Sequence, residues 1–217
     1  MWSALLIVVS SYATEPGDVV ISEIMWMGST ASIADEWIEL YNTTSTEIDL
    51  SGWQLEGAAP KGGTLVIPDG KGIPARGYFL IANYPPSSPK TMLAVEADWV
   101  TTQISLPNEK LRLVLKDSEG NVVDVADDGV GAPAAGDREG KRSMVRKFPP
   151  GDGALPDSWY TATEAWGWKD GAKEKGTPQN SRTASAEGMT WGEVKRAYDQ
   201  GPTSKADPEA PEGPPPK

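Results

Sequence analysis

Between Asp18 and about Thr161 the chain carries short apolar segments rich in β-branched and aromatic residues, separated by Gly, Pro, Asn and Asp. Val19-Val20-Ile21-Ser22-Glu23-Ile24-Met25-Trp26 opens the series. In Glu36-Trp37-Ile38-Glu39-Leu40-Tyr41-Asn42, one face carries Glu36, Ile38, Leu40 and Asn42, and the other Trp37, Glu39 and Tyr41. Alternation with one aliphatic face predicts a half-buried strand. Ile48-Asp49-Leu50 leads through Ser51-Gly52 into Trp53-Gln54-Leu55-Glu56, and apolar runs at 64–67 and 78–82 follow, flanked by Pro68 and Gly77. Residues 111–116 and 121–126 bracket Asp117-Ser118-Glu119-Gly120, a hairpin turn with glycine at its left-handed position. Residues 143–148 and 158–161 close the series. Seven or more short strands with no helix between them predict an all-β sandwich or barrel, with antiparallel connections by default.

The two ends break the pattern. Residues 1–13 (MWSALLIVVSSYA) hold an apolar run, Ala4 to Val9, and Ser11-Tyr12-Ala13 has the small-x-small form that precedes a cleavage site. The run is too short to span a bilayer, which takes about 20 apolar residues. It reads as an atypical signal peptide or an apolar first strand. Residues 183–217 turn to Ala, Ser, Pro and Glu and end in ADPEAPEGPPPK, the composition of a disordered, Pro-rich tail. Within them, Thr190 and Glu193 have capping-box spacing, Met189 and Val194 sit at staple positions, and Gly201 follows. A short helix over 190–200 is predicted, with Trp191, Val194 and Tyr198 on one face.

The blocks ISEIMWMG, DEWIELYN, IDLSGWQL, YFLIAN, LRLVLKDSEGNVVDVA, SMVRKFPPGD, DSWYTAT and GTPQNSR, in that order, resemble the lamin-tail domain. The resemblance runs from about Asp18 to Arg182 and rests chiefly on Asp35 to Asn42 followed by Leu50-Ser51-Gly52-Trp53. It implies an immunoglobulin-like antiparallel β-sandwich over 18–182, with Trp37, Ile38, Leu40, Leu50, Trp53 and Leu55 in the core. In nuclear lamins the domain follows a coiled-coil rod and binds protein and chromatin partners. This chain has no heptad region and looks like the bacterial form, which occurs in exported or surface proteins. The resemblance implies a binding module with no catalytic set of its own. Trp37 and Trp53 would fill the space between two sheets, Gly52 would allow the tight turn before Trp53, and Asn42 would close its strand in a turn.

Composition narrows the chemistry. The 217 residues hold no Cys and no His, which removes disulfides, thiol nucleophiles, imidazole bases and the usual zinc sets. A net charge of -11 disfavours a general duplex-DNA binder. No cofactor is implied. The expected partner is a protein or cell-envelope ligand, with a glycan as the alternative, and the expected location is secreted or cell-surface.

Four groups of side chains could carry function. Glu23, Asp35, Glu36 and Glu39 are carboxylates of the kind a glycosidase pairs, but nothing in their spacing supports that, and structural ion pairs or caps are the plainer expectation. Asp124, Asp127, Asp128, Asp137 and Glu139 flank a Gly-rich loop, where oxygen ligands would suit Ca²⁺, although the calcium-loop order is missing. Lys141, Arg142, Arg146 and Lys147 split between two faces of a strand, which fits a charged sheet edge better than a nucleic-acid site. Trp166 and Trp168, in TEAWGWKDGAKEKG, are candidate ligand-facing aromatics for a sugar ring.

Overall fold

The structure is a computed structural model, and it describes residues 14–179. The N-terminal segment 1–13, the tail 183–217 and the helix expected over 190–200 lie outside the described residues.

Among the described residues, ten strands form two principal sheets and two more a short ribbon. The larger has the order β12-β11-β1-β2-β7-β8, built from β1 (Val19–Met25), β2 (Trp37–Asn42), β7 (Tyr78–Ala82), β8 (Trp99–Val100), β11 (Met144–Arg146) and β12 (Trp159–Thr161). The smaller has the order β10-β9-β4-β5, from β4 (Gln54–Ala59), β5 (Gly63–Val66), β9 (Leu113–Lys116) and β10 (Val122–Ala126). A two-stranded ribbon, β3 (Ile48–Asp49) with β6 (Gly72–Ile73), closes one end. Every pairing is antiparallel except β7 with β8. The hairpin at 117–120 forms as its residues require: Gly120 has φ 90°, and Asp117 Oδ1 accepts from the N–H groups of Glu119 and Asn121.

Which face of the large sheet meets the small one follows from one ion pair. Arg146 on β11 reaches Asp124 on β10, so its side of the sheet is the inner side. Register then carries the assignment across. Met144 shares the face of Arg146 and opposes Ile24, which opposes Ile38, which opposes Ile81. The inner face is therefore Ile24, Ile38, Leu40, Phe79 and Ile81, packed on Leu55, Leu65, Leu113 and Leu115 of the small sheet, all nearly inaccessible to solvent. Leu50 and Trp53, just before β4, are buried with them.

Two expectations change here. β2 is not half-buried, since all six of its residues are buried. Trp37 is fully buried but on the opposite face from Ile38 and Leu40, so it does not fill the space between the sheets. The cause is a third layer. Residues 162–179 fold back over the outer face of the large sheet, where Trp168 meets Trp37 at a ring-centroid distance of 6.1 Å and Leu93 bridges Trp168. Period-two alternation reports which residues share a face. It does not report what covers the second face.

A bulge at Ser22 in β1 and another between Glu56 and Ala59 in β4 bend the sheets onto one another. Gly57 marks the second: at φ 83° a Cβ would stand 2.2 Å from the Arg112 carbonyl oxygen. Gly52, with φ 74°, makes the tight turn before Trp53, as its place in the sequence suggests.

Truncating either Trp37 or Trp53 to Ala should cost about 3–5 kcal/mol, the usual penalty for emptying a buried aromatic site. Urea unfolding of each variant checks this. A midpoint within error of the parent would place that indole at the surface.

Candidate functional site

The fold gathers two of the carboxylates, Glu23 and Glu39. β1 and β2 pair so that Glu23 stands directly opposite Glu39 on the outer face, both at 0% exposure. Like charges opposed across a strand pair repel, and burial removes the water that would screen them. The third layer supplies compensation. Glu23 Oε1 accepts from Ser143 Oγ at 2.5 Å and from the Thr177 N–H at 2.9 Å, while Oε2 accepts from Thr177 Oγ1 at 3.0 Å. Glu39 Oε2 accepts from the Gln179 N–H, and its Oε1 lies 2.9 Å from Ser22 Oγ. Gly176 allows the close approach, since a Cβ there would be 2.8 Å from Glu23 Oε1. Glu23 and Glu39 are thus a carboxylate pair that holds down the covering segment. Sealed beneath it, they have no opening through which a glycan could reach them. They sit within paired strands rather than at strand ends, so neither is a strand-end cap.

Burial, its largest cause, pushes Glu39 from the ordinary 4.5 to about 8, with the Asp98 carboxylate adding to the rise. Near neutral pH the carboxyl is therefore largely protonated. In that form Oε1–H can donate to Ser22 Oγ, whose own proton goes to the Glu39 main-chain oxygen at 3.1 Å, while Oε2 keeps Gln179.

Glu36 shares the value of about 8, again through burial, partly opposed by the Leu106 N–H bond to its Oε2 at 3.2 Å. It sits apart from the other two, at the end of the sandwich. Asp35 accepts from the Met92 N–H at 2.8 Å and anchors the loop there.

The acidic group around the Gly-rich loop does not converge. Asp124 is paired with Arg146 at 3.1 Å inside the sandwich, and burial raises its carboxyl against the pull of that guanidinium. Asp127 accepts from the Asp128 and Ala134 N–H groups, and Asp137 from those of Glu139 and Gly140. Among the described residues no cluster of three or more acidic groups could hold a metal ion.

The basic cluster is corrected too. β11 lies between β12 and β1, not at a sheet edge, so it is no guard against sheet-to-sheet aggregation. Arg146 is buried and also lies over the Trp159 ring at 4.8 Å. Arg142 Nε donates to the Ala162 carbonyl at 2.6 Å and Lys141 Nζ to that of Met27 at 3.2 Å. Lys147 alone of the four is exposed.

The aromatic pair divides. Trp166 is 54% exposed. Trp168 is half-buried, and its indole N–H donates to the Gly176 carbonyl at 3.0 Å while its ring covers Trp37. The two do not form one platform, because Gly167 between them turns the chain at φ 76° and points the second ring inward.

Among the described residues, a cleft of about 450 Å³ opens at one end of the sandwich. Met27, Ile104 and Leu106 form its floor, Glu36 its depth, and Arg138 and Lys141 part of its rim. Ile33 stands on its flank at 84% exposure. Asn83 holds the walls together: its Nδ2 donates to the carbonyls of Ala34 and Ile104, and its Oδ1 accepts from the Ile104 N–H. Sequence reasoning passed over Ile33, Asn83, Ser143, Thr177 and Gln179. A lone isoleucine in the polar stretch STASIADE was the one signal available.

A family model described as Lamin Tail Domain matches residues 13–129. The chain belongs to this family. A lamin tail domain is an immunoglobulin-like β-sandwich, non-catalytic as a family and in general an interaction module. The match covers β1 to β10, while β11, β12 and the covering segment follow it. No curated protein matches the chain. Among the described residues of this lamin tail domain, no helix is long and apolar enough to cross a membrane.

Burial raises the Glu36 and Glu39 carboxyls, so these two groups favour the folded state at low pH. Glu36 and Glu39 hold protons more tightly folded than unfolded, so their contribution to stability is fully present below about pH 4.5. It is lost as pH rises towards about 8. Thermal melts from pH 5 to 8.5 should show a falling Tm. Glu39→Gln keeps the hydrogen bonds of the protonated form and should flatten the slope; a variant with the parental slope would remove Glu39 as its source.

Proposed function

We propose that this chain is a non-catalytic interaction module of an exported or cell-envelope protein, and that it engages a protein partner at the Ile33 end of the sandwich. The open cleft carries the proposal. A branched aliphatic side chain held almost wholly in solvent beside an apolar floor costs hydration free energy in the unbound domain, and a partner would recover it. The rim adds Arg138, Lys141, Ser105 and Asn108, polar groups that fix orientation around an apolar centre. The acidic side chains best suited to hydrolysis are meanwhile committed to holding the third layer and the loops.

Export is supported by the apolar run Ala4 to Val9 followed by Ser11-Tyr12-Ala13. The glycan alternative rests on Trp166, whose exposed indole offers a stacking face without the second ring once expected beside it.

Ile33→Asp should leave the melting temperature unchanged and abolish capture of a partner from envelope extract, whereas Trp166→Ala should leave capture intact. Retention by Ile33→Asp at full strength would remove the cleft from the interface. A glycan-array signal lost in Trp166→Ala would favour the carbohydrate alternative. Export has its own check: N-terminal sequencing of the chain recovered outside the cytoplasm should begin near Thr14.

A further inference from the structure

The small sheet ends in a strand whose outer edge is uncovered. β5 (Gly63–Val66) is last in its sheet and hydrogen-bonds to β4 alone. The direction of its backbone groups can be read from the residue that follows. The Ile67 N–H donates to the Trp53 carbonyl and the Ile67 carbonyl accepts from Gly52, so both point to the β4 side. Alternation along the strand then points the groups of Leu65 inward to β4 and those of Thr64 and Val66 outward. No described residue bonds to the outward groups. The side chains agree: Leu65 is 2% exposed, Thr64 is exposed, and Val66 is 55% exposed.

Proteins usually blunt such an edge with an inward-pointing charge, a proline or a bulge. β5 has none of these within its four residues. The bulge in this ladder is on β4, and Pro68 comes only after the strand. The flanking sequence, Lys61-Gly62-Gly63-Thr64-Leu65-Val66-Ile67-Pro68-Asp69, places one cation before the strand and one anion after it, both exposed.

We propose that β5 is a self-association edge, pairing antiparallel with β5 of a second copy of this chain about a two-fold axis at Leu65. That register sets Thr64 opposite Val66 of the second copy, and its mirror. These are the residues whose main-chain groups face outward, so both symmetry-related pairs exchange N–H···O bonds. It brings Lys61 to the end of the ladder where Asp69 of the second copy stands, and again symmetrically. Shifting the register by one residue sets the outward groups of Thr64 and Val66 opposite residues whose own groups point away to β4, so the exchanged hydrogen bonds and the charge match are both lost. Pro68, next in the outward-facing series after Val66, has no N–H to donate, which ends the ladder there and keeps the pairing short. A second copy is the occupant that this self-complementary charge order fits. An unrelated strand would find the same hydrogen bonds without the matched ends.

The contact is small, below the roughly 1,000 Å² of a stable interface, so the dimer forms and breaks readily. The net charge of -11 on each copy opposes it at low salt. At about 0.15 M ionic strength that repulsion is screened beyond about 8 Å, while pairs in contact persist. The edge lies on the small sheet and involves none of the cleft residues. Ile33→Asp should leave dimerisation untouched, so failure of either proposal is distinguishable from failure of the other.

Sedimentation velocity of the full chain over a concentration series tests this. The parent should shift from monomer to dimer as concentration rises. Thr64→Pro removes an outward N–H that the monomer does not use, and Gly63 before it is already extended at φ -70° and ψ 179°, as a residue before proline must be. This variant should stay monomeric with an unchanged melt. Lys61→Glu should weaken the dimer, and Lys61→Glu with Asp69→Lys together should restore it, because the swap preserves the symmetry. A parent that stays monomeric up to its solubility limit overturns the proposal. So does a dimer that survives Thr64→Pro, or a double variant no better than the single one.

Discussion

The structure turns on two glutamates facing one another with no access to water. Glu23 and Glu39 occupy opposed positions on adjacent central strands, on the face of the large sheet away from the small one. Uncovered, the two carboxylates would be solvated, but Trp37, Leu80 and Val145 on the same face would stand in water. Covered, each needs donors, and the segment that covers them brings donors with it: Thr177 to Glu23 and Gln179 to Glu39, beside the hydroxyls of Ser143 and Ser22. The proton that Glu39 retains near neutral pH removes one of the two charges. The covering segment thus supplies part of what the buried carboxyls need, and Trp168 on Trp37 holds it in place beside them.

That third layer explains why β2 is the strand around which the domain is built. Its inner residues, Ile38 and Leu40, serve the sandwich, and its outer residues, Trp37 and Glu39, serve the cover. A strand buried on both faces tolerates little change on either, since a void or an unpaired polar group is costly in both directions. The same logic applies at the sandwich edge. There Arg146 and Asp124 join β11 to β10, and Asp124 Oδ2 also accepts from the Ile21 N–H at 2.8 Å. A buried pair of this kind adds little net stability but is expensive to break, so it fixes which strands meet.

Function is left to what the interior does not use. The described acidic and basic side chains that sequence patterns single out for catalysis, calcium or nucleic acid are mostly turned inward to carbonyls, N–H groups and each other. The Ile33 cleft, the Trp166 indole and the β5 edge stay at the surface. They lie on different parts of the molecule, which suits a module that meets more than one neighbour.

The strands, the hairpin at Asp117 to Gly120, the turn at Gly52 and the apolar core were legible in the sequence, because alternation and turn chemistry are local properties that short stretches carry whole. The family was legible for the same reason: its blocks are those local units in a fixed order. Which side of β2 would hold Trp37, that Trp168 would turn inward while Trp166 stayed out, and that Arg146 would cross to Asp124 were not. Each depends on a residue 20 to 130 positions away, and alternation assigns a side chain to a face without saying what the chain later lays upon it. The four carboxylates show the limit best. Their types and positions are plain in the sequence, but whether a glutamate is a catalyst, a salt bridge or a buried clamp is set by desolvation and by donors such as Thr177 and Gln179. Only the folded chain brings those within reach.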